Sequence, residues 1–150
     1  MINVVTECDE ILAEKLDQLE KKIFTTSPGG DRIWIAINMQ DYIYWVKKKE
    51  NKLIGYLATR REGDIIHIIG IGILEKYRGR GYASSLMESM IEYFLPTEIK
   101  GIYLETRVSN KVAKGLYDKF NFTLIETRKN FYSEPPGPED AHVFALNIQK

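Results

Sequence analysis

The run IIHIIGIGIL, from Ile65 to Leu74, is apolar at nearly every position. A strand built from it has no polar face to give to water, so it belongs in the middle of a sheet with cover on both sides. That requirement predicts helices packed on a mixed sheet. Gly70 and Gly72 interrupt the run, which marks a bulge or a close approach of something to the backbone.

The flanking sequence supplies the other elements. INVVTE (Ile2–Glu7) reads as a strand. A helix follows, acidic at its start (Asp9, Glu10), with Ile11, Leu12, Leu16, Leu19 and Ile23 on one face. Thr25–Asp31 is a loop by its Pro and Gly content, and Ile33–Met39 reads as a short helix. Tyr42–Glu50 and Leu53–Arg60 form a hairpin turning at Asn51-Lys52, and Glu62–Asp64 turns into the central strand. A second long helix covers Gly81–Phe94, with Ala83, Leu86, Met87, Met90, Ile91 and Phe94 in one stripe. Gly101–Val108 is a strand. Ser109–Phe120 is a helix capped by Ser109, with a stripe of Val112, Ala113, Leu116, Tyr117 and Phe120. Phe122–Tyr132 and His142–Ile148 are strands, joined by a connection whose three prolines should make it stiff and protruding. The order β-α-α-β-β-β-α-β-α-β-β predicts an α/β (α+β) fold. About seven strands, mostly antiparallel, and about four helices are expected in a single domain over residues 1–150.

Composition narrows the function classes. Lys plus Arg and Asp plus Glu are equal at 21 each, so the net charge of zero argues against binding nucleic acid through bulk electrostatics. The one cysteine, Cys8, excludes a disulfide within the chain and reads as a small near-core residue rather than a nucleophile. No Cys/His cluster suggests a metal. The start of the chain lacks a basic region followed by an apolar run, and no apolar run approaches the ~18 residues of a membrane span. A cytoplasmic protein with no membrane partner is expected.

The chemistry begins where the central strand ends. EKYRGRGYASSL leads directly into a helix, whose first N–H groups are unpaired and point outward, with partial positive charge from the helix dipole. Gly79, Gly81 and Ala83 keep side chains away, while Arg78 and Arg80 add full charges. A pyrophosphate would fit, and so would a plain glycine turn with two solvated arginines. The Walker pattern is absent, and the dinucleotide fingerprint would need a glycine at Ser84.

These residues resemble the GNAT superfamily of N-acetyltransferases. Its pattern Arg/Gln-x-x-Gly-x-Gly/Ala appears as Arg78-Gly79-Arg80-Gly81-Tyr82-Ala83. SNKVAKGLYDKFNF is similar to its Asn-x-x-Ala-x-x-x-Tyr-x-x-x-Gly-Phe segment, with Asn121 in place of glycine. More narrowly, YLETRVSN, ETRKNFY and EDAHVFALNI resemble protein N-terminal acetyltransferases: the archaeal enzymes, the eukaryotic E-type catalytic subunit and the bacterial ribosomal-protein alanine acetyltransferases. The resemblance implies the GNAT fold, acetyl-CoA as cosubstrate without a metal, and transfer of acetyl to the α-amino group of a polypeptide in a ternary complex. It implies that Ile71, Gly72 and Ile73 hold the pantetheine arm through their backbone. Arg78, Gly79, Arg80, Gly81, Tyr82, Ala83 and Ser84 would hold the pyrophosphate, and Asn110 would contact the coenzyme near its thioester. Glu105 stands in the position of the base, His67 contributes to catalysis, and Tyr117 acts as acid to the departing thiolate. Phe131 and Tyr132 clamp the peptide, and Phe24 walls the first-residue pocket. The partners implied are N-terminal segments of proteins, with room for an auxiliary subunit or ribosome association. IFTTSPGGD departs from the Pro and Tyr that relatives often carry after the Phe, so no first-residue preference is implied. A small-amine (polyamine-like) acetyltransferase and a non-catalytic acyl-CoA-binding module are the alternatives.

Overall fold

The computed structural model describes residues 1–24, 27–133 and 137–149. Thr25 and Thr26 of the expected loop, and Glu134, Pro135 and Pro136 of the expected stiff connection, lie outside the described residues. The elements are β1 (Ile2–Val5), α1 (Glu10–Phe24), α2 (Gly30–Asn38), β2 (Tyr42–Lys49), β3 (Lys52–Glu62), β4 (Ile65–Ile73), a 3-10 turn (Glu75–Tyr77), α3 (Tyr82–Phe94), β5 (Gly101–Arg107), α4 (Lys111–Lys119), β6 (Thr123–Tyr132) and β7 (Glu139–Asn147). The strands pair in the order β1-β2-β3-β4-β5-β7-β6. β4 is thus fourth of seven, the place its two apolar faces demand. β4 and β5 run parallel. β1–β2, β2–β3, β5–β7 and β6–β7 are antiparallel.

The chain forms two compact units, Met1–Arg61 with Ile68–Thr97, and Glu62–His67 with Glu98–Lys150. In the first, the β2–β3 hairpin pairs Lys49 with Lys52. Its turn centres on Glu50 (φ 51°) and Asn51 (φ 65°), one residue earlier than expected. A two-residue hairpin turn with both central residues left-handed matches the twist of the strands, and Lys52 is then already paired. Alternation along β2 sorts the core. Tyr42, Tyr44 and Val46 join Tyr56 and Ala58 of β3 in one cluster with Leu16 and Leu19 of α1 and Ile33 and Ile37 of α2. Trp45 points the other way, with ring contacts to Tyr93 (5.5 Å) and Phe94 (5.7 Å) of α3. The α3 stripe holds as expected in Leu86, Met87, Met90 and Phe94, all buried.

The buried face of α1 is rotated from the expected one. Ile11 is 68% exposed, whereas Asp17 and Glu20 are buried. Partners make this tolerable. Asp17 accepts from the Ser27 hydroxyl and pairs with Lys21 at 3.0 Å. Glu20 accepts from the Tyr44 hydroxyl at 2.6 Å. Burial pushes the Glu20 carboxyl up from its usual range, opposed by the hydrogen bonds from Tyr44 and Tyr56.

The β4 glycines prove to be close-approach sites. A Cβ at Gly70 would lie 2.8 Å from the Tyr56 hydroxyl, and one at Gly72 would lie 2.7 Å from Ile23 Cγ2 and 3.1 Å from Phe24 Cε2.

In the second unit, β7 pairs on both edges, with β5 and with β6. Asn110, not Ser109, caps α4: its side-chain oxygen accepts from the Ala113 amide at 3.1 Å. The start at Lys111 leaves Val112 87% exposed, so that residue drops out of the expected stripe, and Tyr117 is the buried residue of the helix. β6 slips register between Leu124 and Glu126 and again between Arg128 and Tyr132. At the second slip Asn130 takes φ 53° and its amide donates to Asp140 at 2.8 Å. The bulge re-aims the residues that follow, Phe131 and Tyr132. Among the described residues, no helix is long and apolar enough to cross a membrane.

Candidate active site

The first unit contributes the glycine loop before α3. Gly79 (φ 78°) and Gly81 (φ 82°) both take the left-handed backbone. Gly81 is the N-cap of α3, which has no side-chain cap and no acidic residue in its first turn. A Cβ at either glycine would meet nothing within 4 Å, so backbone shape, rather than the room first supposed, demands glycine there. The amides of Tyr82 and Ala83 have no helix carbonyl behind them, and Ser85 donates to Gly81 at 3.1 Å. Arg78 Nε donates to the Ile73 carbonyl at 2.9 Å, tying the loop to the last residue of β4 and so to the expected Ile71–Ile73 stretch. Around the Tyr77 ring lie the Lys76 ammonium and the Arg80 guanidinium at 5.6 Å and the Lys49 ammonium at 5.7 Å. None of these three, nor Arg78, has an ion-pair partner among the described residues. Bare helix amides beside uncompensated cations suit the phosphates of a coenzyme. Phe24, at the end of α1, is 49% exposed, covers Gly72 and meets the Tyr56 ring edge-on at 6.5 Å.

The second unit contributes an acid–base cluster, and strict alternation on β5 explains it. Ile102, Leu104 and Thr106 are buried, so Tyr103, Glu105 and Arg107 share the opposite face. His67 of β4 pairs with Tyr103, and their rings stack at 4.3 Å and 1°. His67 Nε2 lies 2.6 Å from Glu105 Oε1, and Nδ1 lies 3.3 Å from Glu62 Oε2. Arg128 reaches Glu105 Oε2 at 3.4 Å. The Glu105 side chain is only 11% exposed. A nearly buried carboxylate with an imidazole on one oxygen and a guanidinium on the other is equipped to take and hand on a proton.

Tyr117 is 5% exposed, with its ring against Phe122 (5.8 Å) and Phe144 (5.9 Å). Its hydroxyl makes no hydrogen bond among the described residues, yet none of their buried side-chain polar atoms lacks a partner. The ring sits within an apolar cluster. Burial, then the charge of Tyr132, pushes the phenol pKa up. It holds its proton at neutral pH and can donate to a nearby anion. Tyr132 is pushed up to about 12, by burial first and the Glu105 charge second. Phe131 meets the Tyr132 ring at 5.0 Å. The Arg107 guanidinium lies 4.5 Å over Tyr132 and that of Arg128 5.8 Å over Phe131. Arg107 is itself held by the Gly137 carbonyl (3.1 Å) and Glu139 (3.3 Å).

The second unit thus brings His67, Glu105, Tyr117 and Tyr132 into one electrostatic neighbourhood, with Asn110 one helix away at the cap of α4. Sequence reasoning missed Glu62, Tyr103, Arg107 and Arg128. The alternation of β5 was the available signal for Tyr103 and Arg107. Cys8 packs against the core cluster, and burial, then Asp9, pushes its thiol up, as suits an inert residue. Among the described residues no group of His, Cys, Asp and Glu could hold a metal ion.

Comparison with known proteins extends this picture. The acetyltransferase (GNAT) family model matches residues 9–122. The N-alpha-acetyltransferase of Saccharolobus solfataricus is 33% identical over 148 residues, covering 88% of this chain and 87% of that one. A putative ribosomal protein bS18-alanine N-acetyltransferase of Bacillus subtilis is 31% identical over 134 residues, covering 89% and 87%. The crystal structure of the ribosomal-protein-S18-alanine N-acetyltransferase from Escherichia coli superposes with a TM-score of 0.86 at 21% identity, covering 100% of this chain and 96% of that one.

Proposed function

Because the chain belongs to the acetyltransferase (GNAT) family and is an acetyl-CoA-dependent N-acetyltransferase, we propose that its acceptor is the α-amino group of a polypeptide. On this reading residues 1–150 act as a single catalytic domain, and the acetyl passes directly to the amine in a ternary complex. The observation that carries it is Glu105, nearly buried, on His67 at 2.6 Å and electrically coupled to Tyr132. The names of the archaeal and bacterial relatives support it.

Acetyl-CoA supplies an acetyl group on a thiol leaving group. The amides of Tyr82 to Ser84, with Arg78 and Arg80, bind the phosphates, and the backbone of Ile71, Gly72 and Ile73 receives the extended arm. Asn110 spends its side-chain oxygen on the cap of α4, which leaves its amide hydrogens to donate to the coenzyme. Glu105 takes the proton of the incoming ammonium. The demand on it is small, because an α-amine has a pKa of about 8 against roughly 10.4 for lysine. Near neutral pH deprotonation then costs only about 1 kcal/mol. The Tyr117 hydroxyl donates a hydrogen bond to the departing sulfur. Its raised pKa makes complete transfer uphill, so its contribution is to stabilise charge as it develops. Phe131 and Tyr132, braced by the two arginines, flank the peptide, and Phe24 walls the pocket for its first side chain.

The test is incubation with acetyl-CoA and peptides whose α-amines are free or blocked, with spermidine alongside. Acetylation of free α-amines is expected. Product on spermidine or lysine side chains alone would overturn the reading. Tyr117→Phe is expected to lower kcat roughly tenfold, the loss of one donor, with little change in KM for acetyl-CoA. Steady-state kinetics check this, and an unchanged kcat would remove Tyr117 from the chemistry.

A further inference from the structure

Glu62, the last residue of β3, has no part in the scheme above, yet it completes a chain of three titratable groups. Its Oε2 lies 3.3 Å from His67 Nδ1, while Nε2 of the same ring lies 2.6 Å from Glu105. Its Oε1 accepts from the Tyr103 hydroxyl at 2.7 Å. Tyr103 also stacks flat on the His67 ring, so one side chain fixes both the imidazole plane and the carboxylate that faces its edge. Exposure rises outward: the Glu105 and His67 side chains are 11% and 14% exposed, and Glu62 is 34% exposed.

We propose that Glu62 is a positioning residue of the transfer reaction, the outer end of a relay that carries the substrate's proton from Glu105 through His67 to water. The inference rests on the reading of Glu105 as the base. When Glu105 has taken a proton from the ammonium, that proton passes to His67 Nε2 as the proton on Nδ1 passes to Glu62 Oε2. Glu62 then releases it to solvent. Each transfer forms one N–H or O–H bond as another breaks, Glu105 returns to the carboxylate, and a half-turn of the imidazole, which now carries its proton on Nε2, restores the starting arrangement for the next cycle. Without an acceptor at Nδ1, the imidazole can take the proton of Glu105 only by keeping both. Other charges bear on the chain. Arg128 of β6 faces Glu105 and is shared with Glu126 at 3.0 Å. Tyr132 of β6 senses Glu105, along with Arg107 of β5 and Glu139 of β7. Of these groups, Glu62 is the one whose carboxylate faces the outer imidazole nitrogen.

The experiment compares wild type, Glu62→Gln and Glu62→Asp, reading kcat against pH, KM for acetyl-CoA and Tm, with the peptide α-amine as acceptor. Glutamine keeps the shape and can still accept from Tyr103, but it cannot take a proton. We expect the kcat plateau of Glu62→Gln to fall about tenfold with KM and Tm unchanged. Glu62→Asp should recover part of kcat. A Glu62→Gln profile that overlays wild type overturns the relay. So does an equal kcat loss in both variants that tracks a lowered Tm, which marks a structural role. Should glutamine prevent folding, Tyr103→Phe removes the hydroxyl that donates to Glu62 while leaving the carboxylate itself: a lower kcat at unchanged KM supports the relay, and an unchanged kcat overturns it. A wild type inactive on every α-amine overturns the base reading beneath it, a result distinct from all of these.

Discussion

Glu105→Gln is expected to lower kcat by roughly 10²- to 10³-fold, the usual cost of removing a general base. The substitution is nearly isosteric and can still meet His67 and Arg128, so the fold has little reason to change. What disappears is the ability to accept a proton from the incoming ammonium. KM for acetyl-CoA should stay near its wild-type value, because the amides and cations proposed to hold the phosphates belong to the loop before α3. The residual rate should climb as pH rises toward and past the α-amine pKa of about 8, since more of the acceptor then arrives already deprotonated. Steady-state kinetics over pH would show both effects. A near-wild-type kcat at neutral pH would hand the base role to another group.

Trp45→Ala is expected to cost about 3–5 kcal/mol of folding stability. Trp45 is 2% exposed and is the β2 residue that turns toward Tyr93 and Phe94, away from the tyrosines on the other face. Alanine removes both ring contacts and leaves a hole that the sheet backbone cannot close. Urea denaturation followed by circular dichroism should show a lower midpoint at unchanged slope, the signature of lost stability rather than an altered unfolded state. A loss below ~1 kcal/mol would mean that neighbouring side chains collapse into the space.

What could be read from the sequence depended on how local its cause was. The position of β4 followed from its own two apolar faces, and the length of α3 from its own stripe. The loop at Arg78 to Ala83 was legible because glycines and arginines in that spacing have few uses before a helix. The α1 face was misread because Asp17 and Glu20 are buried by distant partners: Glu20 owes its place to Tyr44, on β2. The cap of α4 fell one residue late because Ser109 and Asn110 are both good caps, and the choice depends on where the chain leaves β5. Ser109 instead donates its amide to Glu139 at 2.7 Å, a contact across the second unit that no spacing encodes. Glu62 looked like an ordinary turn residue. Its meaning appears only when β4 and β5 run parallel and bring His67 beside Tyr103. The bulges of β6 were equally silent, since a register slip depends on the partner strand as much as on the residues that slip.

Gly70 and Gly72 leave two positions of β4 with no side chain of their own to change. The surface there is made by Tyr56, Ile23 and Phe24, which lean onto bare backbone. A substitution at 23, 24 or 56 reshapes that surface and leaves every strand hydrogen bond intact. Any side chain added at 70 or 72 must displace its neighbours first. The two halves of this contact therefore differ in how freely they can drift: the half-exposed Phe24 of the helix can vary in size, while the strand beneath it is held to glycine.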